Sequence, residues 1–425
     1  MISLVISAPI NTYSGYGARA RDVVKALIKT GKYDINVLSQ RWGNTRSGYL
    51  NDHNEDELTS LIIPQLNFKP DVWVQISVPN EFQAVGKYSI GITAGIETTL
   101  CDGSWIEGLN RMDLNLVSSE HAKSVFLGTK LDAYDSKTKQ KIKEVKVEKP
   151  VEVLFEGIDV QKYLTVNKQS DLYKSISTIK EEFCFLSVGH WMQGDFGEDR
   201  KNIGYTVKTF LETYKNGAFK SKKIPALILK THSVGTSIMD RDKILAKIDQ
   251  IRSTVTGTLP NIYLLHGEVT DEEMADLYNH PKVKAYVSHT KGEGFGRPLL
   301  EFAATGKPVI ASGWSGQIDF LNREDSILLG GTLQKVHPSA VLKNMITKEA
   351  LWFRPNDSDV SKAYKQVTKH YKKTQEGAKR QAHKIKNNFT FDKMVELLDK
   401  TLDNNLPEFP KEIKLTLPKL ELPKL

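Results

Sequence analysis

The feature that most constrains the fold is an alternation of strand and helix signals that runs once, stops, and starts again. Short apolar runs at 2–7 (ISLVIS), 35–38 (INVL), 71–76 (DVWVQI), 88–93 (YSIGIT), 114–117 (LNLV) and 151–154 (VEVL) read as strands, with helical segments at 18–30 and 119–126 between them. Near-continuous apolar runs without polar alternation suit strands buried on both faces, as in a parallel sheet. The pattern restarts at 183–189 (FCFLSVG), with a helix at 205–215, strands at 226–230, 262–265 and 285–288, and a helix at 271–278. Two such halves predict an α/β chain of two Rossmann-like domains facing across a cleft, with the linker near 159–180. In open α/β sheets ligands gather beyond the carboxyl ends of the strands, so each half should present loops to that cleft.

Length and composition agree with this. The chain has 425 residues, with 40% hydrophobic and 26% charged residues, which fits two or three soluble domains. The N-terminal run has no basic flank and reads as a first strand, and no run approaches the ~18 apolar residues of a membrane span. Cys101 and Cys184 lie far apart without metal-site spacing, so a reducing cytoplasm with two core thiols is the simplest setting. The net charge of +8 is uneven. The segment 130–149, from Lys130 to Lys149, holds seven lysines against four acidic residues, and 215–223, from Lys215 to Lys223, holds four lysines and no acid. Such clusters suit a polyanionic partner, or are solvated surface.

The most informative stretch is 289–321, HTKGEGFGRPLLEFAATGKPVIASGWSGQIDFL. Glu293 and Glu301 are separated by seven residues, with a Gly-Phe-Gly turn and Pro298 between them. This reads as loop, helix, strand, loop. Glycines before a helix expose backbone N–H groups to an anion or to sugar hydroxyls, and two carboxylates at this spacing can bond different hydroxyls of one ligand.

The string EGFGRPLLEFAATGKPVIAS resembles the donor-sugar motif of retaining glycosyltransferases of the GT4-like, GT-B type. Most of the chain shares the resemblance. LVSSE at 116–120 resembles the family's strand into a serine turn, EGID at 156–159 its interdomain segment with glutamate for asparagine, and LHGEV at 265–269 its base-contacting loop. The implied domains are an acceptor half over 1–165, a nucleotide-sugar donor half over 166–385, a crossover helix over 386–405 and a Pro/Lys/Leu tail over 406–425. The tail could pair as an edge strand, mediate self-association or be disordered.

The resemblance also assigns roles. Glu293 would accept hydrogen bonds from the donor sugar, Gly294, Phe295 and Gly296 would present backbone donors, Glu301 would hold the ribose, and Val269 would lie at the base. The family's first phosphate-binding arginine is replaced by His190; after a longer loop, Arg200 and Lys201 would compensate the diphosphate. Gly15 and Gly17, in TYSGYGAR, would let the backbone approach a phosphate or the acceptor, and Tyr16, Glu97 and Trp105 are acceptor-side candidates. Asp319 occupies a position where the family often has glutamate. No metal is required: Asp240-Arg241-Asp242 and Asp357-Ser358-Asp359 read as surface or capping acids. The implied reaction moves a sugar with retention from a nucleotide-sugar, a UDP-sugar first, with no other cofactor. The acceptor divides three ways. The lysine clusters and the absence of a membrane signal favour duplex DNA carrying hydroxymethylated cytosine, as in bacteriophage DNA modification in a host cytoplasm, with glucose or arabinose transferred. An envelope glycan or lipid precursor is the alternative. A nucleotide-sugar-binding module without catalysis is the third reading.

Overall fold

The computed structural model describes residues 1–135, 137–138, 140–217, 224–233 and 235–410. Six strands build the first half: β1 (Ile2–Ala8), β2 (Tyr33–Ser39), β3 (Val72–Ile76), β4 (Tyr88–Thr93), β5 (Leu114–Val117) and, after the hairpin β6 (Leu131–Tyr134) and β7 (Lys141–Val145), β8 (Val151–Val153). They pair in the order β2-β1-β3-β4-β5-β8, every pair parallel. The second sheet contains β9 (Cys184–Val188), β10 (Ala226–Lys230), β11 (Ile262–Leu265), β12 (Val283–Ser288), β13 (Val309–Ser312) and β14 (Ile327–Leu329), in the order β11-β10-β9-β12-β13-β14, again all parallel. The strand order reverses between β1 and β3 in one sheet and between β9 and β12 in the other. Those reversals open the crevices where such sheets hold ligands.

Why these residues make strands is visible in their burial. Leu4, Val5 and Ile6 of β1, and Phe185 and Leu186 of β9, are all inaccessible, because helices cover both faces of each sheet. One face of the first sheet packs with Val23, Val24 and Leu27 of the helix Gly15–Thr30. The same cluster takes in Met394, Leu398 and Leu402 of the last helix, Phe391–Asn405. The chain thus leaves the second half through the helix Tyr371–Asn388 and lays its final helix on the first. Leu406 and Phe409 continue along that core, and the tail from 411 lies outside the described residues.

Several elements differ from the sequence reading. The first helix begins at Gly15 rather than at 18, because Ser14 caps it by accepting from the N–H of Gly17 at 2.9 Å. The segment 159–180, read as a linker, carries the helices Val160–Leu164 and Asp171–Ser177, and Tyr163, Ile176 and Ile179 belong to the second half's core. The chain therefore crosses earlier, near Ile158, whose N–H donates to Phe389 O at 3.1 Å. A ribbon of β15 (Gly331–Lys335) and β16 (Leu351–Pro355) interrupts the second half before the helix Asp357–Lys369. β15 (GTLQK) is polar and exposed and gives no strand signal, whereas β16 (LWFRP) is apolar and largely buried and is missing from the sequence reading.

Within the lysine-rich segment 130–149, β6 and β7 pair antiparallel beside the helix Gly103–Arg111, where Asn110 Nδ2 donates to Lys146 O at 2.8 Å; Lys139 lies outside the described residues. Lys141 pairs with Asp132 at 2.5 Å and Lys149 with Asp113 at 3.8 Å, while Tyr134 and Ile142 stand exposed. Of the second cluster, Lys215 pairs with Glu212 at 2.5 Å, and Lys220, Lys222 and Lys223 lie outside the described residues.

Candidate active site

The site is assembled by two loops that leave the carboxyl ends of β9 and β12, at the strand-order reversal of the second sheet. The first loop ends in Arg200-Lys201-Asn202. Asn202 takes the left-handed conformation (φ 57) and starts the helix Ile203–Tyr214, a turn that asparagine tolerates better than most side chains. The second loop runs from His289 to Glu293. The two are laced together: Lys291 N–H donates to Arg200 O at 2.8 Å, Arg200 Nη1 to Gly292 O at 2.8 Å, and Asn202 Nδ2 to His289 O at 3.1 Å.

This lacing brings three of the predicted residues into contact. Lys201 Nζ lies 2.7 Å from both oxygens of Glu293, and Arg200 Nη1 lies 3.3 Å from Glu293 Oε2. Across the cleft, Glu97 Oε1 from the loop after β4 is 3.3 Å from the same guanidinium nitrogen. The cluster holds two cations and two carboxylates, so it is close to neutral. Burial alone would push the Glu293 carboxyl up, but Lys201 and then Arg200 hold it below the usual carboxylate range, and it is ionised at neutral pH. The Glu293 backbone is fixed as well: its N–H donates to Ser315 Oγ at 2.9 Å and its carbonyl accepts from Gly316 at 3.0 Å.

The glycines have a role the motif alone did not specify. A Cβ on Gly292 would sit 2.0 Å from Glu97 O, and one on Gly294 would sit 2.4 Å from Ala94 O. They let the donor-half loop lie directly against the acceptor-half loop. Gly296 takes φ 98 and turns the chain into the helix Arg297–Ala303. Phe295 contributes backbone only, since its ring is buried against Phe320 with centroids 5.1 Å apart.

Glu301 is buried and engaged: Arg297 Nε contacts Oε1 at 3.0 Å and Tyr278 OH donates to Oε2 at 3.0 Å. Burial holds this carboxyl above the ordinary range, although Arg297 works in the opposite direction. Arg297 also reaches Asp22 of the first half, forming a chain from one domain to the other. The Arg297–Glu301 pair was legible as an i,i+4 spacing. Asp22 had no signal. Val269 lies half-exposed in the loop before the helix Asp271–Asn279, beside Gly267, whose carbonyl accepts from Lys230 Nζ at 2.7 Å.

His190 donates through Nε2 to the carbonyl of Ser233 and stacks on His232 at 4.9 Å. Desolvation by the surrounding loops, with Arg200 and Lys201 nearby, lowers its pKa from the ordinary imidazole range, which disfavours the charge an arginine would supply there.

Four expectations are corrected. Trp105 is 2% exposed; its indole N–H donates to Asn344 O at 2.6 Å and its ring packs near Phe126, so it is a core residue and no acceptor contact. Gly17 spends its N–H on Ser14 Oγ and lies within the helix, so it offers no phosphate cradle, whereas Gly15 is exposed with open space around it. Tyr16 is tied down, its hydroxyl 2.9 Å from Thr93 Oγ1 and its ring stacked on Trp42. Asp240 is no surface acid: it is buried, bonded to Ser233 N at 2.9 Å and to His266 Nε2 at 3.0 Å. Asp319 caps the helix Glu120–Gly128 of the opposite half through the Glu120 N–H at 2.9 Å, and burial raises its carboxyl to about 6. Among the described residues no group of three or more His, Cys, Asp or Glu side chains is arranged to hold a metal ion, and no helix is long and apolar enough to cross a membrane.

No family model and no curated protein matches the sequence. Solved structures do match in fold. Anabaena HepE, in complex with UDP and glucose, superposes with a TM-score of 0.63 at 11% identity, over 95% of this chain and 100% of its own. The sucrose-phosphate synthase of Thermosynechococcus elongatus gives 0.60 at 10% identity over 95% and 99%. WaaG, a glycosyltransferase involved in lipopolysaccharide biosynthesis, gives 0.56 at 12% identity over 93% and 99%. The architecture these chains share with it is GT-B, two Rossmann-like domains facing across a cleft.

Proposed function

We propose that this GT-B chain is a retaining glycosyltransferase that moves a sugar from a nucleotide-sugar, a UDP-sugar first, to an acceptor hydroxyl. The observation that carries this is the buried contact of Glu293 with Lys201 and Arg200 at the sheet's reversal point, facing Glu97 across the cleft. A nucleotide diphosphate entering there takes over the two cations. Glu293 is then released to accept hydrogen bonds from the sugar's hydroxyls. The N–H groups of Gly294, Phe295 and Gly296 donate to no other described residue, which leaves them for the sugar or the diphosphate. As the bond from the anomeric carbon to the phosphate oxygen breaks, its electron pair goes to the diphosphate. Arg200 and Lys201 stabilise the charge that develops there. The acceptor oxygen bonds to the anomeric carbon from the same face, and its proton passes to the departing phosphate, so no separate base is needed. HepE's complex with UDP and glucose supports the donor class.

The acceptor we favour is hydroxymethylated cytosine in duplex DNA, supported by the exposed lysines of the β6–β7 hairpin on the acceptor half. The test is nucleotide release from a panel of UDP- and GDP-sugars, with unmodified duplex, hydroxymethylcytosine duplex or no acceptor. We expect release from one UDP-sugar that depends on the modified duplex. Release indifferent to DNA would move the acceptor to a glycan or lipid. Binding of the nucleotide-sugar without release under any condition would leave a non-catalytic module.

A further inference from the structure

The strand order of the second sheet, β11-β10-β9-β12, lines up the loops that a nucleotide-sugar would need. The loop after β12 carries Glu293, the loop after β9 carries Arg200 and Lys201, and the loop after β11 carries Gly267 and Val269. β10 lies between the last two and ends in Lys230, a residue that no motif singles out. Neighbouring strands are about 5 Å apart, so a ligand reaching from the Lys201 loop to the Val269 loop crosses roughly 10 Å, over the end of β10.

Lys230 faces the correct side of the sheet. It follows Ala226 and Ile228 on the face that packs with Leu299 and Leu300 of the helix Arg297–Ala303, which also carries Glu301. It also adjoins the phosphate-side cations. Gly189 N–H donates to Lys230 O at 3.1 Å, and a Cβ on the same glycine would stand 3.7 Å from Lys201 Cδ.

The ammonium group is under-used where it stands. Lys230 is half-buried, yet Nζ donates only to Gly267 O at 2.7 Å, and its other two protons have no partner among the described residues. The carboxylates whose charge reaches it are committed elsewhere: Glu268 pairs with Arg46, and Glu273 Oε2 accepts from the Thr270 N–H at 2.9 Å. Three other lysines of this half are satisfied. Lys307 Nζ donates to carbonyls at 2.7, 2.8 and 2.9 Å, and Lys291 and Lys201 each meet a glutamate at 2.7 Å. Desolvation without a carboxylate partner lowers the Lys230 pKa, a cost that a bound anion would offset.

We infer that Lys230 holds the donor phosphate next to the ribose, leaving Arg200 and Lys201 to the phosphate that bears the sugar. The neighbouring strand thus supplies a charge that is disfavoured at His190. This rests on the glycosyl-transfer reading and deepens it by dividing the diphosphate between two strand ends.

The experiment is binding of UDP and UMP, by calorimetry, and of uridine, by ligand-observed NMR, to the full-length wild type, Lys230→Met and Lys230→Arg. Methionine keeps an apolar stem and removes the charge. We expect Lys230→Met to weaken UDP and UMP by about tenfold or more with uridine unchanged, and Lys230→Arg to recover most of the loss. UDP and UMP affinities equal to those of the wild type overturn the assignment. A loss shared equally by uridine makes Lys230 a brace for the Gly267 loop and overturns it as well. A loss for UDP alone moves Lys230 to the outer phosphate and overturns the placement. Each of these leaves the transferase reading standing, whereas a wild type that binds neither UDP nor UMP overturns the donor reading beneath it.

Discussion

Glu293 shows how one side chain serves stability and chemistry together. In the ligand-free arrangement it neutralises Lys201 and shares Arg200 with Glu97, all within a site from which water is largely excluded. Removing one partner of a buried ion pair leaves an uncompensated charge, which costs about 3–5 kcal/mol. Glu293→Ala therefore loses stability as well as transfer, a cost the motif alone does not reveal. The prediction is that denaturant unfolding at pH 7 shows Glu293→Ala well below the wild type, with part of the loss recovered when Lys201→Met is added. A single variant as stable as the wild type would mean that the cluster is not load-sharing. The pH dependence follows from the depressed carboxyl. Its folded value lies below the ordinary 4.5, so the advantage of wild type over variant is full above that pH and disappears as the pH falls through the lower folded value.

At the scale of elements, the loop from Thr12 to Arg19 separates two roles that the sequence runs together. Ser14 and Gly17 build the helix start: the cap is worth about 1 kcal/mol, and a Cβ on Gly17 would meet Thr12 O at 2.3 Å. Gly15 meets nothing within 4 Å and faces solvent. Ser14→Ala and Gly17→Ala are expected to lower Tm, Gly17→Ala by more, whereas Gly15→Ala leaves Tm near that of the wild type. If calorimetry shows that Gly15→Ala also leaves nucleotide-sugar affinity unchanged, this loop does not touch the donor. The sheet strands other than β14 were readable to within a few residues, since burial on both faces demands continuous apolar runs. The hairpin and the first strand of the ribbon were not, because β6, β7 and β15 are largely exposed and carry no such demand.

For the whole molecule, the last helix is a structural part of the first half. Met394, Leu398 and Leu402 are each no more than 2% exposed. Burial of three such side chains contributes roughly 5–9 kcal/mol, comparable to the whole stability of a domain at about 5–15 kcal/mol. A chain ending at Asn388 should lose hydrogen-exchange protection in β1–β5 while β9–β13 remain protected. Equal protection in both sheets would show that the first half folds without its crossover helix. The two halves are also pinned directly, by Arg297 with Asp22, Arg46 with Glu268 and the Glu120 amide with Asp319. The glycines that face the cleft make this close apposition sterically possible.

What the sequence determined by itself is what local chemistry controls: the apolar runs that must be buried, and the Gly-Phe-Gly turn with two carboxylates at fixed spacing. What only the tertiary structure decided depends on contacts across long stretches of chain. Lys201 meets Glu293 across 92 positions and Trp105 meets Asn344 across 239. Whether a tryptophan faces a cleft or fills a core, and whether a lysine is paired or free for phosphate, is set by those contacts. Charge balance and burial are properties of the assembled neighbourhood, and neither is carried by a residue's place in the chain.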